Sequence, residues 1–274
     1  MIRTSVDRAA TTGAESLRAW WRQESARGAA GGDWIDLVEL PGGRLGLTIG
    51  DASGHDDHAF ALAGVLRAVM RQWLLAGSEP DDVLRHALDE VAVLGDMGEM
   101  FATAVVVLAD PAGGRLTYAN AGHPPPLLVA APAGGPAGAG SAGGPAAAAR
   151  GLDATGPVLS DLFAGTCLWS SRCVSLAPDD RLLLYTDGLT EARDATGRQF
   201  GVERLIAAAG RRGSADAVLP ALFAAVAQHC SRPPADDRSA VLLAWAPRPR
   251  PAGSARPGAP SCPSRNLRRP APAR

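Results

Sequence analysis

The 274-residue sequence contains no lysine: all 27 basic side chains are arginine, set against 28 Asp and Glu. Alanine fills 54 positions, so the 46% hydrophobic fraction overstates the supply of large apolar side chains. This bias towards Arg, Ala, Gly and Pro points to a GC-rich coding sequence and carries no functional meaning. No apolar run approaches the roughly 18–20 residues that a membrane span needs. The first 25 residues lack the hydrophobic stretch of a signal peptide. There are only four cysteines, Cys167, Cys173, Cys230 and Cys262, and none has CxxC spacing. In a chain this long they are no disulfide framework but buried or incidental thiols. These absences lead us to expect a cytoplasmic protein with one medium-sized domain and unstructured additions, not a membrane protein.

Acid is missing entirely from residues 247–274, which hold seven arginines and eight prolines. The near-neutral total of −1 therefore conceals a body, residues 1–246, at −8. A body this acidic is not built to hold a phosphate backbone, so nucleic acid is not expected as a partner. The Pro/Arg tail reads as disordered. Residues 130–150 are ten Ala, six Gly, three Pro, one Ser and one Arg. Such a segment cannot bury enough surface to offset its ordering entropy, and reads as a flexible insertion.

Periodicity orders the remainder. Residues 34–40 and 44–50 are two strand candidates around a Pro41-Gly42-Gly43 turn, with Leu45, Leu47 and Ile49 alternating against Gly46 and Thr48. From Leu62 the period becomes helical, through Val65, Leu66, Val69, Met70, Trp73 and Leu74. A second helix is predicted from Pro80, with Val83, Leu84, Ala87, Leu88 and Val91 inward. Strands follow at 101–109, 115–120, 126–129, 181–186 and 239–245, with helices near 202–209 and 217–229. Hairpins interrupted by helices, without βαβ alternation, predict an α+β domain of antiparallel sheets flanked by helices.

The aspartates fall at strand ends. Asp33 precedes the first strand and Asp51 follows the second, so a hairpin of matched lengths brings both to one end of the sheet. Asp187 follows the strand 181–186, and Asp236 and Asp237 precede the last strand. Each alone is ordinary Asx turn chemistry. Together they would repel one another unless protonated, paired with arginine or bound to a cation. Oxygen-only ligation suits Mg²⁺ or Mn²⁺. Two such ions can activate water against a phosphoryl group, so the residues point to metal-assisted hydrolysis of a phosphate ester.

Five segments then carry a resemblance: Gly31-Gly32-Asp33-Trp34-Ile35-Asp36, Gly50-Asp51-Ala52-Ser53-Gly54-His55, Asn120-Ala121-Gly122-His123-Pro124, Tyr185-Thr186-Asp187-Gly188-Leu189-Thr190-Glu191-Ala192 and Asp236-Asp237-Arg238-Ser239. In this order they resemble the PPM-type (protein phosphatase 2C-like) serine/threonine phosphatases, in their bacterial SpoIIE/RsbU-like branch. The resemblance covers about residues 28–246. It implies a four-layer α-β-β-α sandwich with a binuclear Mn²⁺/Mg²⁺ centre at one end of the two sheets, and a metal-bridging hydroxide attacking phosphorus in line. By motif, Asp51 would bridge both ions and the Ala52 carbonyl would complete a ligand sphere. Asp187 and Asp236 would bind the ions, with Asp237 as the alternative to Asp236, and Asp33 would act directly or through water. The implied substrate is a phosphorylated regulatory protein of the anti-sigma-factor antagonist class.

Some residues depart from the family pattern or fit it loosely. Asp56 stands where the family has glycine; helix capping is the simplest role for it, a further ligand the alternative. His55 is either a proton donor to the leaving seryl oxygen or a surface loop residue. Asn120 and His123 suit a structural turn better than catalysis. Asp36 is a weaker ligand candidate, and Arg44 and Arg193 are phosphate-binding candidates by proximity alone. Trp20-Trp21, in the 1–27 extension, is expected in a short helix that packs on the domain, docks a partner or forms a homodimer contact. The rival readings are a catalytically degenerate phosphatase fold kept as a protein-binding module, and a two-metal phosphodiesterase or nuclease, which the acidic body disfavours.

Overall fold

The computed structural model describes residues 8–11, 17–26, 31–54, 56–94, 97, 99–110, 114–130, 149–177, 180–211 and 214–245. The Pro/Arg tail, most of the 130–150 insertion and His55 lie outside the described residues.

The alternation read at 34–40 and 44–50 produces a hairpin. β1 (Arg8–Thr11) and β2 (Leu17–Glu24) come before it, and β3 (Asp33–Leu40) and β4 (Arg44–Ala52) form it around Pro41–Gly43. Gly42 and Gly43 take φ of 78° and 72° at this turn, a region closed to most side chains. Helices α1 (Asp57–Leu75) and α2 (Pro80–Leu94) follow, then β5 (Ala102–Asp110), β6 (Arg115–Ala121), β7 (Leu127–Val129), β8 (Ala149–Gly151) and β9 (Arg172–Ser175). The chain continues through β10 (Arg181–Tyr185), the single turn α3 (Asp187–Thr190), α4 (Val202–Ala209), α5 (Val218–His229) and β11 (Arg238–Trp245). All strand pairs are antiparallel. One sheet runs β1-β2-β11-β10-β7-β8, the other β3-β4-β5-β6-β9.

Three apolar layers define the four-layer sandwich. Leu66, Met70, Leu84 and Leu88 pack the α1/α2 pair on the five-stranded sheet. Leu45, Leu47, Ile49, Val105, Val107, Leu182, Leu184, Val241 and Leu243 fill the space between the sheets. Leu205, Leu219, Leu222, Phe223 and Val226 seat α4 and α5 on the six-stranded sheet. The expected inward stripe of α2 is buried throughout, whereas Val65 of α1 is 37% exposed because Ala59 and Ala63 take the inner face instead.

Two expectations are corrected. Residues 17–24 are a strand, not a helix, and pair with β11 along its whole length, Leu17 opposite Trp245 through Glu24 opposite Arg238. Leu17, Ala19 and Trp21 face the core between the sheets, and Trp20 faces the helical layer. The tandem tryptophans thus straddle the sheet, each with its own cover, and this period-two pattern is too short and too Arg-rich to stand out. Arg22 on the same strand caps the Phe223 ring at 4.8 Å. The second correction is that the insertion ends in structure: Ala149–Gly151 pairs with Leu127–Val129.

Candidate functional site

The two sheets bring their carboxylates together at one end. Asp33 opens β3 and Asp51 lies one residue before the end of β4, so both sit inside the hairpin ladder, paired across it. In the other sheet Tyr185 pairs with Ala240, and the Thr186 amide donates to the Ser239 carbonyl at 3.0 Å. Asp187 therefore stands beside Asp236 and Asp237. It opens the one-turn helix α3 rather than a simple turn.

Asp33 joins the sheets. It is 8% exposed, and its Oδ2 accepts from the Thr186 hydroxyl at 2.8 Å and the Ser239 hydroxyl at 2.7 Å. Its carbonyl accepts from Gln23 Nε2 at 2.9 Å. The Thr186 hydroxyl in turn accepts from the Ser239 amide at 2.9 Å. Burial pushes the Asp33 carboxyl well above the usual range, with Asp51 adding to the rise, while the two hydroxyl bonds pull the other way. Asp51 is pushed up to about 7, first by burial and then by Asp187, Asp236 and Asp237. Asp187 rises through burial, then through Asp236 and Glu191. The shared leading cause is burial, and carboxylate gathered beside carboxylate adds to it.

The adjacent Asp236 and Asp237 divide their tasks. Asp237 is buried and its Oδ1 accepts the Ala26 amide at 2.9 Å, whereas Asp236 is exposed and is the first charge acting on Asp187. Glycines hold the backbone close to these groups. A Cβ on Gly31 would sit 1.5 Å from Asp237 Oδ2, and one on Gly32 would sit 2.3 Å from the Ala52 carbonyl oxygen and 2.8 Å from Asp51 Oδ1. A Cβ on Gly188 would sit 1.9 Å from the Asp237 carbonyl oxygen. Oxygen-only donors, their mutual repulsion and this close backbone fit a hard divalent cation. Among the described residues, however, no three His, Cys, Asp or Glu side chains stand close enough to hold an ion as they are.

The other candidates separate from this edge. Asp36 is bound by Arg71 Nη1, at 2.8 and 2.9 Å to its two oxygens. Asp56 caps α1, accepting from the amides of His58 at 3.1 Å and Ala59 at 3.0 Å. Asp56→Ala should lower the urea midpoint followed by tryptophan fluorescence, and Asp56→Asn, which keeps the cap, should restore it. Asn120 closes a turn by accepting the His123 amide at 2.8 Å and donating to the His123 carbonyl at 3.1 Å, with Gly122 at φ 65°. His123 is buried, pushed down to about 3 by desolvation, and bonds Thr103 Oγ1 at 2.8 Å. Arg44 lies at the opposite end of the hairpin, donating to the Pro41 carbonyl. Sequence reasoning gave no role to Thr186 and Ser239. Their signal was the period of two, which turns both hydroxyls inward beside Asp187 and Asp237.

The comparisons agree with this architecture. RsbP of Bacillus subtilis, a phosphoserine phosphatase, is 26% identical over 163 residues, covering 58% of this chain and 36% of RsbP. The chain spans about a third of the length of the curated relatives it matches. The crystal structure of the RsbU and RsbW domains of a Mycobacterium tuberculosis protein superposes with a TM-score of 0.68 at 28% identity, covering 89% of this chain and 65% of that one. The catalytic domain of the serine/threonine protein phosphatase PstP, solved with two manganese ions, shares the fold with a TM-score of 0.58 at 16% identity, covering 85% of this chain and 99% of that one. The family model described as Stage II sporulation protein E matches residues 41–246. This match takes in most of both sheets and four of the five recognised segments, and the chain belongs to the SpoIIE family of PP2C-like phosphatase domains.

Proposed function

We propose that this chain is a metal-dependent protein serine/threonine phosphatase, acting on phosphoserine or phosphothreonine of a bacterial regulatory protein of the anti-sigma-factor antagonist class. The observation that carries this reading is the convergence of Asp33, Asp51, Asp187 and Asp236 from two sheets at one edge, with Asp51 raised to about 7 first by burial and then by its acidic neighbours. The named activity of RsbP, the pairing of RsbU with RsbW in one solved chain and the two manganese ions of PstP support it. No described helix is long and apolar enough to cross a membrane, and we propose a cytoplasmic location.

Asp51, Asp187, Asp236 and the Ala52 carbonyl would hold two Mn²⁺ or Mg²⁺ ions, with Asp237 behind them on the Ala26 amide. When bound, such ions neutralise phosphoryl charge and lower the pKa of water. The chain itself contributes orientation. The Thr186 and Ser239 hydroxyls fix one oxygen of Asp33, which leaves its other oxygen to face Asp51 or a water. Gly32 and Gly188 let backbone carbonyls approach where a side chain would intrude. His55, in the role of proton donor to the leaving oxygen, stays part of the proposal. A homodimer would need a surface other than Trp20-Trp21, since both rings are partly buried within this chain.

The purified chain should hydrolyse p-nitrophenyl phosphate and a phosphoserine protein with Mn²⁺. Chelation with EDTA should abolish the activity and added Mn²⁺ should restore it. One observation favours a second reading, a phosphatase-fold binding module without catalysis: no described group of three ligands is set to hold an ion. Absence of Mn²⁺-dependent hydrolysis alongside intact folding would select that reading.

A further inference from the structure

Beside the carboxylate edge lies a cleft of about 780 Å³, between the loop that follows α3 and the loop that precedes β11. It opens at Gly188 and Asp236 and continues past Arg193, Arg232 and Arg238. Such a volume suits a ligand side chain or a short peptide segment. Of the acids along it, Asp194 and Asp236 already accept from neighbouring groups, whereas Glu191 is exposed. Asp194 accepts from the Thr196 amide and hydroxyl and from the Arg198 amide, at 2.8, 2.6 and 3.0 Å, and forms an ion pair with Arg198. Asp236 belongs to the carboxylate edge, and Glu191 acts on Asp187.

The guanidinium groups have no such commitments. Among the described residues none of the three arginines forms an ion pair with a carboxylate. Arg193 donates one bond, to the Gly197 carbonyl at 2.9 Å, and is otherwise exposed like Arg232. Arg238 is 5% exposed, its Nη2 meets Cys230 Sγ at 3.1 Å, and its buried Nε has no partner. A buried guanidinium with an unused donor costs free energy unless something accepts from it.

We propose that this cleft binds the acidic residues that flank the phosphorylated side chain of the protein substrate, with Arg193 and Arg232 gripping carboxylates at its rim and Arg238 donating to one at its floor. The inference rests on the phosphatase reading above and adds a sequence preference to it: acid beside the phosphoserine. The carboxylate edge alone would repel an acidic segment, so the arginines also set which way the segment runs across the site.

The test measures fluorescence anisotropy of labelled phosphoserine peptides bound to the metal-free full chain, one flanked by Asp and Glu, one by Asn and Gln, and one by Arg. The wild type should bind the acidic peptide roughly tenfold more tightly than its amide counterpart, and added salt should erode the difference. The double variant Arg193→Glu with Arg232→Glu, both at exposed positions, should lose that preference and favour the Arg-flanked peptide. Equal affinity of the wild type for acidic and amide peptides, or an unchanged preference in the double variant, overturns the inference. Hydrolysis of p-nitrophenyl phosphate, which has no flanking residues, tests the phosphatase reading separately. Activity without acidic preference removes only the cleft assignment, and acidic preference without activity removes only catalysis.

Discussion

Asp51→Asn is expected to lower Mn²⁺-dependent hydrolysis of p-nitrophenyl phosphate by about a thousandfold or more, beyond the 10–100-fold that loss of a supporting residue costs at a metal site. The same variant should be more stable than the parent when no metal is present. The Asp51 carboxyl sits near 7 in the fold against an ordinary 3.8, so the folded protein holds this proton more tightly than the unfolded chain does. Its contribution to stability is fully present below about pH 4 and is lost as pH rises through 7. Asp33 and Asp187 shift in the same direction. Metal-free thermal unfolding from pH 5 to 8.5 should therefore show the parent weakening as pH rises towards 7, with the Asp51 contribution flat above that. Asp51→Asn, with that charge removed, should unfold at least about 5 °C higher at pH 8. Added Mn²⁺ should raise the parent's midpoint and leave the variant's almost unmoved. Residual activity within tenfold of the parent, or identical metal-free pH profiles, would remove Asp51 from the centre of the site.

Gly188→Ala should be the most damaging single-methyl addition at the edge. The new carbon would lie 1.9 Å from the Asp237 carbonyl oxygen, a backbone atom, and 3.5 Å from Asp236 Cβ. Backbone cannot rotate away as a flexible side chain can, so either α3 or the start of β11 must shift. Overpacking of this kind costs on the order of 3 kcal/mol. Since Asp187 and Asp236 flank the clash, Mn²⁺ affinity measured by calorimetry should fall together with the urea midpoint. By contrast, Gly197→Ala, where φ is 83° but space is open, should lose some stability and keep Mn²⁺ affinity. Equal effects at both glycines would mean that crowding against the Asp237 carbonyl adds nothing particular at Gly188.

These expectations show how far the sequence reaches. The β3–β4 hairpin was readable because Leu45, Leu47 and Ile49 alternate cleanly about a Pro-Gly-Gly turn, and that geometry already placed Asp33 opposite Asp51. The helices α1 and α2 were readable from their apolar stripes. Residues 17–24 were not, because two adjacent tryptophans hide a period of two and the partner strand lies more than two hundred residues away. The split between Asp236 and Asp237 was equally hidden: it depends on the Ala26 amide, which only that distant pairing delivers. The hydroxyls of Thr186 and Ser239 were visible as residues, but their shared acceptor across the gap between sheets was not.

That distant pairing has a practical consequence. The Ala26 amide ends on Asp237 and the Ser239 amide ends on Thr186, one bond from Asp33. Two backbone protons, remote from each other in the chain, thus report on the ionic state of the edge without any probe being attached. Their hydrogen-exchange rates and amide chemical shifts, followed during a metal titration, would give a label-free reading of occupancy from two neighbouring points on the six-stranded sheet.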